Sequence, residues 1–138
     1  MADSPLRCIV VTPEETAVDT TAESVTLPLF DGELGVLQGH APMIGRLGYG
    51  ELRIRSSGNG AGGETTRLFV DGGFAQIADN VVSVMTGRAI PVAQVDKAEA
   101  EQALSEALAI SASGTDAVAY REKEVARARG MIHVASKG

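Results

Sequence analysis

Over roughly the first ninety residues, apolar positions recur mainly at every second residue. From Asp96 onward they recur at every third or fourth. The first spacing is that of half-buried strands and the second that of amphipathic helices. Residues 6–12 (Leu-Arg-Cys-Ile-Val-Val-Thr) predict a strand that Pro13 ends. Val18, Val25, Leu27 and Leu29 alternate loosely with Thr and Glu over residues 16–29, which predicts one long half-buried strand or a hairpin arm. Residues 30–33 (Phe-Asp-Gly-Glu) read as a turn, 34–37 as a short strand, and 39–42 (Gly-His-Ala-Pro) as another turn. Further strands are predicted over 51–55, 66–71, 74–78 and 81–86. Gly72-Gly73 and Asp79-Asn80 separate the last three. Short strands with turn signals every 8–12 residues or so indicate a sandwich or flattened barrel.

The period changes at Pro91. Ala100, Ala103, Leu104, Ala107 and Leu108 fall at helical spacing, and Asp96-x-x-Glu99 resembles a capping box with Asp as the cap. Residues 111–114 (Ser-Ala-Ser-Gly) stop that helix, and Thr115 or Asp116 can cap a second. In the second helix Val118, Val125, Ala128 and Ile132 lie near one face. Arg127 and Arg129 fall in what reads as the last turn before Gly130. The expected fold class is therefore mainly β plus α. A β-sandwich or flattened barrel spans residues 1–90, and an antiparallel two-helix hairpin of short helices spans 91–138. The hairpin's apolar stripes are mostly Ala, which bury little area, so weak attachment to the sandwich is expected.

Composition narrows the function classes. The 138 residues carry 18 acidic against 12 basic side chains, a net charge of −6, which argues against a nucleic-acid binder. The core must be aliphatic, since aromatics make up 4% and Trp is absent. Cys8 is the single cysteine. That excludes an intramolecular disulfide, fits a reducing compartment, and within an apolar run reads as an inert core thiol. No stretch approaches the ~20 apolar residues needed to cross a bilayer, and the start Met-Ala-Asp-Ser-Pro is not expected to act as a signal peptide. Residues 56–64 (Ser-Ser-Gly-Asn-Gly-Ala-Gly-Gly-Glu) predict a flexible hairpin loop. They lack the Gly-Lys-Ser/Thr of a phosphate-binding loop.

Residues 30–42, Phe-Asp-Gly-Glu-Leu-Gly-Val-Leu-Gln-Gly-His-Ala-Pro, closely resemble the signature of the epsilon subunit of F-type ATP synthases. Residues 70–85, Val-Asp-Gly-Gly-Phe-Ala-Gln-Ile-Ala-Asp-Asn-Val-Val-Ser-Val-Met, are similar to the same family's second conserved strand pair. The resemblance extends over nearly the whole chain, most specifically at the first motif. It implies a non-catalytic rotor component in the F1 central stalk, coupling proton translocation through the c-ring to ATP synthesis in F1. The implied partners are the gamma subunit, the c-ring and, when the hairpin extends, the alpha and beta subunits. The extended hairpin would brake ATP hydrolysis. The implied location is peripheral, on the cytoplasmic face of a bacterial inner membrane, with the membrane reached only through the complex.

Candidate residues follow from both readings. Asp31 and Glu33 sit beside a Gly turn, where Asp-Gly is ordinary turn chemistry; the resemblance implies contact with the c-ring. His40 lacks the nucleophile and orienting acid that a hydrolase would place around it. It reads as a histidine bonding the turn backbone, and the resemblance places it near gamma. Arg121, Lys123, Arg127 and Arg129 are either a solvated helix face or, by the resemblance, contacts to alpha and beta. Some members bind ATP through an Ile-Asp-x-x-Arg-Ala pattern. The matching residues 95–100 here are Val-Asp-Lys-Ala-Glu-Ala, so Asp96 is a weak ATP candidate with Glu99 standing where a guanidinium would meet phosphate. No resident cofactor or metal is expected, and His133 is assigned no role. A free-standing nucleotide-sensing module is the competing function.

Overall fold

The computed structural model describes residues 4–56 and 64–137. Ten strands form two five-stranded sheets. The strands are β1 (Leu6–Val11), β2 (Thr16–Ala22), β3 (Ser24–Leu29), β4 (Gly32–Val36), β5 (Met43–Arg46), β6 (Tyr49–Arg55), β7 (Thr65–Asp71), β8 (Phe74–Ala78), β9 (Val81–Met85) and β10 (Ala89–Pro91). The first sheet has the order β2-β1-β9-β8-β5 and the second β10-β7-β6-β3-β4. After a 3₁₀ turn at Val92–Gln94 come α1 (Lys97–Leu108) and α2 (Thr115–Lys137). The expected sandwich followed by two helices is what forms.

Alternation explains most of the strands. Leu6, Cys8 and Val10 of β1 meet Val82 and Val84 of β9 in a parallel pair, all pointing inward and buried. Leu27, Leu52, Ile54, Leu68 and Val70 close the core from the second sheet. The stretch 16–29 is two strands rather than one. It breaks at Glu23, so β2 joins the first sheet and β3 the second. Only by changing sheets can Ala22 and Val25 both face the same core. Strand β5 was not predicted. It is an edge strand whose outward Ile44 and inward-leaning Met43 blur the alternation. The chain changes sheets again between β7 and β8 at Gly72-Gly73. Gly73 has φ +104°, and a Cβ there would lie 1.9 Å from the Met85 carbonyl oxygen, so no side chain fits. Asp79 and Asn80, with φ of 52° and 63°, make the tight turn between β8 and β9 that strand twist favours.

The expected loop between β6 and β7 falls largely outside the described residues. Its base is closed where Ser56 N–H and Oγ both donate to the Glu64 carbonyl, at 3.0 and 2.8 Å. Helix α1 begins where the capping residue predicted it, with Asp96 Oδ1 accepting from Ala98 N–H at 2.9 Å and Glu99 N–H at 3.2 Å. Helix α2 differs from expectation. It is 23 residues long and runs straight through Gly130. The glycine is not a stop, because a Cβ at that position would lie 2.4 Å from the Tyr49 carbonyl oxygen; the missing side chain lets the helix lie against β6.

Cys8 is fully buried, and burial pushes its thiol up to about 12, against 9.0 for a free thiol. The folded thiol therefore holds its proton at pH values where the unfolded one loses it. Its contribution to stability is complete below about pH 9 and is lost as pH rises toward 12. Alkylation by iodoacetamide at pH 8 should proceed only at the rate of global unfolding. Modification of the native protein at the rate of a free thiol would contradict this burial.

Candidate functional site

Two places gather the chemistry. The first is the end of the sandwich where the two sequence motifs meet. Asn80, held in a left-handed conformation, accepts a hydrogen bond from Gly39 N–H at 2.7 Å and donates through Nδ2 to the Ser4 carbonyl at 3.1 Å. Gln38 Nε2 donates to the same Ser4 carbonyl, and Arg7 N–H donates to the Asn80 carbonyl at 2.8 Å. The Gly-His-Ala-Pro turn is thus pinned to the Asp79-Asn80 turn. His40 bonds within its own loop, with Nδ1 2.7 Å from the Ala41 carbonyl and its N–H donating to the Leu37 carbonyl at 3.2 Å. Asp31 is exposed at the opposite tip of β4, in the turn before it. Glu33 lies on β4 itself, its carboxylate bridged by Arg53 at 3.0 and 3.1 Å.

That pair is one end of a charged row on the outer face of the second sheet. Arg53 also meets Glu51 at 2.9 Å, and Arg67 closes the row on Glu51 at 2.6 Å. Glu51 is buried, so the two guanidinium groups supply what water would otherwise give its carboxylate. The hydrogen bonds that Arg53 donates to Glu33 and then to Glu51 outweigh desolvation and hold Arg53 above its ordinary range.

The second place is the seam between that face and α2. Phe69 points outward from β7 and is buried beneath Val134, with Val92 beside it and Tyr49, Ile90, Val95 and Met131 around the edge. Next to this patch, Arg127 donates to Asp71 at 3.0 Å, also bonds Glu124 one turn back, and lies 5.9 Å from the Tyr49 ring. Asp71 is 8% exposed and takes a second cation, Arg88, at 3.3 Å. Burial works against the charge on Arg127, but Asp71, with Glu124 and Tyr49, more than offsets it and raises its pKa. Of the four candidate cations on α2, Arg127 therefore turns toward the sandwich. Arg121 donates to the Leu108 carbonyl at the end of α1 at 3.3 Å, while Lys123 and Arg129 are exposed. Val118 is also exposed, and the buried positions are Val125, Ala128 and Val134.

Between α1 and α2 lies an open groove of about 470 Å³ lined by Glu99, Glu106 and Glu124 against Arg88 and Arg127. Asp96 is not on it; its carboxylate caps α1. On the outer face of the first sheet, Val11, Met85 and Phe74 stand in register across β1, β9 and β8. Ile44, 71% exposed, faces outward on β5 opposite Gln76, diagonal to Phe74, whose own partner is Arg46. Among the described residues no group of His, Cys, Asp and Glu is arranged to hold a metal ion, and no helix is long and apolar enough to cross a membrane.

The family model for the ATP synthase delta/epsilon chain β-sandwich domain matches residues 5–92, which include both motifs. The chain belongs to that family. A relative from Rhodopirellula baltica, an ATP synthase epsilon chain, is 54% identical over 127 residues, 92% of this chain and 95% of its own. One from Granulibacter bethesdensis is 36% identical over 139 residues, 98% of each chain. Among solved structures, a chain of the Euglena gracilis mitochondrial ATP synthase OSCP/F1/c-ring assembly superposes with a TM-score of 0.76 and 27% identity, covering 97% of this chain and 82% of that one. A central-stalk/c-ring chain from Tetrahymena thermophila, at 17% identity and a TM-score of 0.68, shares the fold.

Several residues in these two places were not singled out from the family motifs. Asn80 and Asp71 lie inside the second motif, and Tyr49 and Phe69 outside both. The available signal was the unbroken run Leu68-Phe69-Val70. Three consecutive apolar residues in a strand cannot all face one core, so the outer face needed a cover. Helix propensity alone makes Gly130→Ala stabilising by about 1 kcal/mol. The contact with Tyr49 reverses the sign. We expect the variant to lower the thermal midpoint and to speed amide exchange of residues 125–134 relative to β1 and β9. A raised midpoint with unchanged exchange would show that the helix does not lie on β6 as described.

Proposed function

We propose that this chain is the non-catalytic epsilon subunit of an ATP synthase central stalk. The observation that carries the proposal is the 54% identity to an ATP synthase epsilon chain, which spans both the sandwich and the hairpin. The structural similarity to a chain solved within an F1/c-ring assembly supports the same placement. In this reading the sandwich joins gamma and the c-ring, couples rotation to ATP synthesis in F1, and reaches the membrane only through the complex. The bacterial relatives favour the cytoplasmic face of a bacterial inner membrane as its location.

The geometry supplies candidate contacts. The exposed group Val11, Met85, Phe74 and Ile44 offers an apolar face for gamma, with the rigid loop of His40 at the motif end of the sandwich. Asp31 is free to meet cationic c-ring loops. Glu33 can do so only by sharing or exchanging Arg53, which limits what that contact adds. Lys123 and Arg129 are the cations of α2 that an alpha or beta subunit could reach without undocking. Arg127 becomes available only when its bonds to Asp71 break.

The hairpin acts as the brake in this proposal, through its undocked form. Its attachment rests on one small apolar patch and one buried ion pair, so undocking is a local event and leaves the sandwich core intact.

A tagged chain drawn from solubilised membranes should bring down gamma with the alpha/beta hexamer; recovery of the chain alone would count against the assignment. For the brake, two variants have opposite signs. Truncation before Asp96 should raise ATP hydrolysis by the assembled enzyme. Asp71→Ala, which removes the docking carboxylate, should lower it by favouring the undocked form. The lost buried charge pair is worth roughly 1–3 kcal/mol. Changes of the same sign in both variants would sink the brake.

A further inference from the structure

A second groove, of about 530 Å³, runs between the sandwich and α2 on the side away from α1. Phe30, Arg46, Tyr49 and Gly73 form one wall, and Arg129 and His133 the other. Its charge pattern is unusual for this molecule. Carboxylates outnumber cations 18 to 12 in the chain, and among the described residues Arg7, Arg53, Arg55, Arg67, Arg88 and Arg127 each pair with one. Arg46 and Arg129, like Lys97, Arg121 and Lys123, have no ion pair among the described residues, but these two share one groove, where His133 adds a third nitrogen-bearing side chain and no acidic side chain is present among the lining residues. The α1–α2 groove has the opposite character, with three carboxylates on its walls.

The walls suit a compact anion. Gly48, Gly72 and Gly73 line it with main chain, their Cβ directions being taken up by Phe30, Tyr49 and Met85. The volume lies within the range of small-molecule sites. Two guanidinium groups on facing walls provide planar forks that match phosphate oxygens in pairs. Phe30 is 65% exposed with Arg46 5.5 Å from its ring centroid, which leaves an apolar surface beside the cations.

We propose that this groove binds a phosphate-bearing small anion, held between Arg46 on β5 and Arg129 on α2 with His133 alongside. The proposal stands apart from the stalk assignment, because it uses only groups of the isolated chain.

Calorimetric titration of the full-length chain with sodium pyrophosphate at low ionic strength tests it. Millimolar or tighter binding is expected. Arg46→Ala and Arg129→Ala should each weaken it roughly tenfold or more. Arg121→Ala, whose side chain lies outside the groove, should leave it unchanged. Arg46 and Arg129 are exposed and Arg121 is half-buried; melting curves of the three variants serve to check that each folds. Phenyl phosphate separates two sources of the anion. Tighter binding than inorganic phosphate, lost in Phe30→Ala, assigns the groove to an organic phosphate. Equal binding assigns it to free phosphate or polyphosphate. No heat with pyrophosphate at millimolar concentration, affinity unchanged by both groove substitutions, or binding of an oligoglutamate peptide in place of pyrophosphate would each overturn the proposal.

Discussion

Strand β7 has to be buried on both faces. Leu68 and Val70 point into the sandwich and Phe69 points out, so the second sheet cannot be left open to water at that end. Everything in the C-terminal third follows from this requirement. The 3₁₀ turn delivers Val92 next to Phe69, α1 turns the chain back, and α2 lays Val134 over the outward-facing ring. An aromatic ring brings more apolar area to such a contact than any of the alanines on the hairpin stripes. The patch is small, yet it fixes where the long helix lies, and the helix in turn brings Arg127 to Asp71 and Gly130 to Tyr49.

Polarity divides the same sheet face. At one end α2 covers Phe69 and Asp71; toward the other, Arg67, Glu51, Arg53 and Glu33 form a continuous row that water can reach. Glu51 marks the boundary, since it lies opposite Phe69 in the strand pairing and is buried without being apolar. Its two arginines are about a third exposed, so the row behaves as an ion-pair network anchored on one dry carboxylate. Such a row does not attract a second helix, and α2 stays at the β10-β7-β6 end of the sheet. The sheet thus positions the hairpin by offering it one hydrophobic place and a charged alternative.

The sandwich was largely legible because alternation is imposed residue by residue. Leu6, Cys8 and Val10, or Ala75 and Ile77, announce an inward face without knowledge of the partner strand. The break at Glu23 showed only as a one-residue shift of phase between Ala22 and Val25, which the loose alternation of residues 16–29 hid. Gly130 misled for a physical reason. Local propensity marks glycine as a helix end, but here the helix continues because a backbone carbonyl of another element occupies the space of a Cβ. The Asp96 cap was readable because capping is local, and the Asp71–Arg127 pair was not, because 56 residues separate its partners.

The motif turns and the hairpin are different kinds of structure, as the proposed pairing of assembly and braking in one chain requires. At the motif end, the Asn80 and Gln38 side chains lock onto main-chain groups of Gly39 and Ser4, and the Asp79-Asn80 turn tolerates few side chains in its left-handed conformation. Such a surface suits a permanent interface, because it presents one shape. At the hairpin end, the contacts are side chains on two elements that need not move with the core. Undocking α2 exposes Phe69 and leaves Asp71 with Arg88 alone, which opposes undocking without forbidding it. It also separates the two walls of the basic groove, because Arg46 stays with the sandwich while Arg129 leaves with the helix. An anion that needs both walls therefore binds the docked form better than the undocked one, and by linkage it must stabilise docking by that same difference in binding free energy.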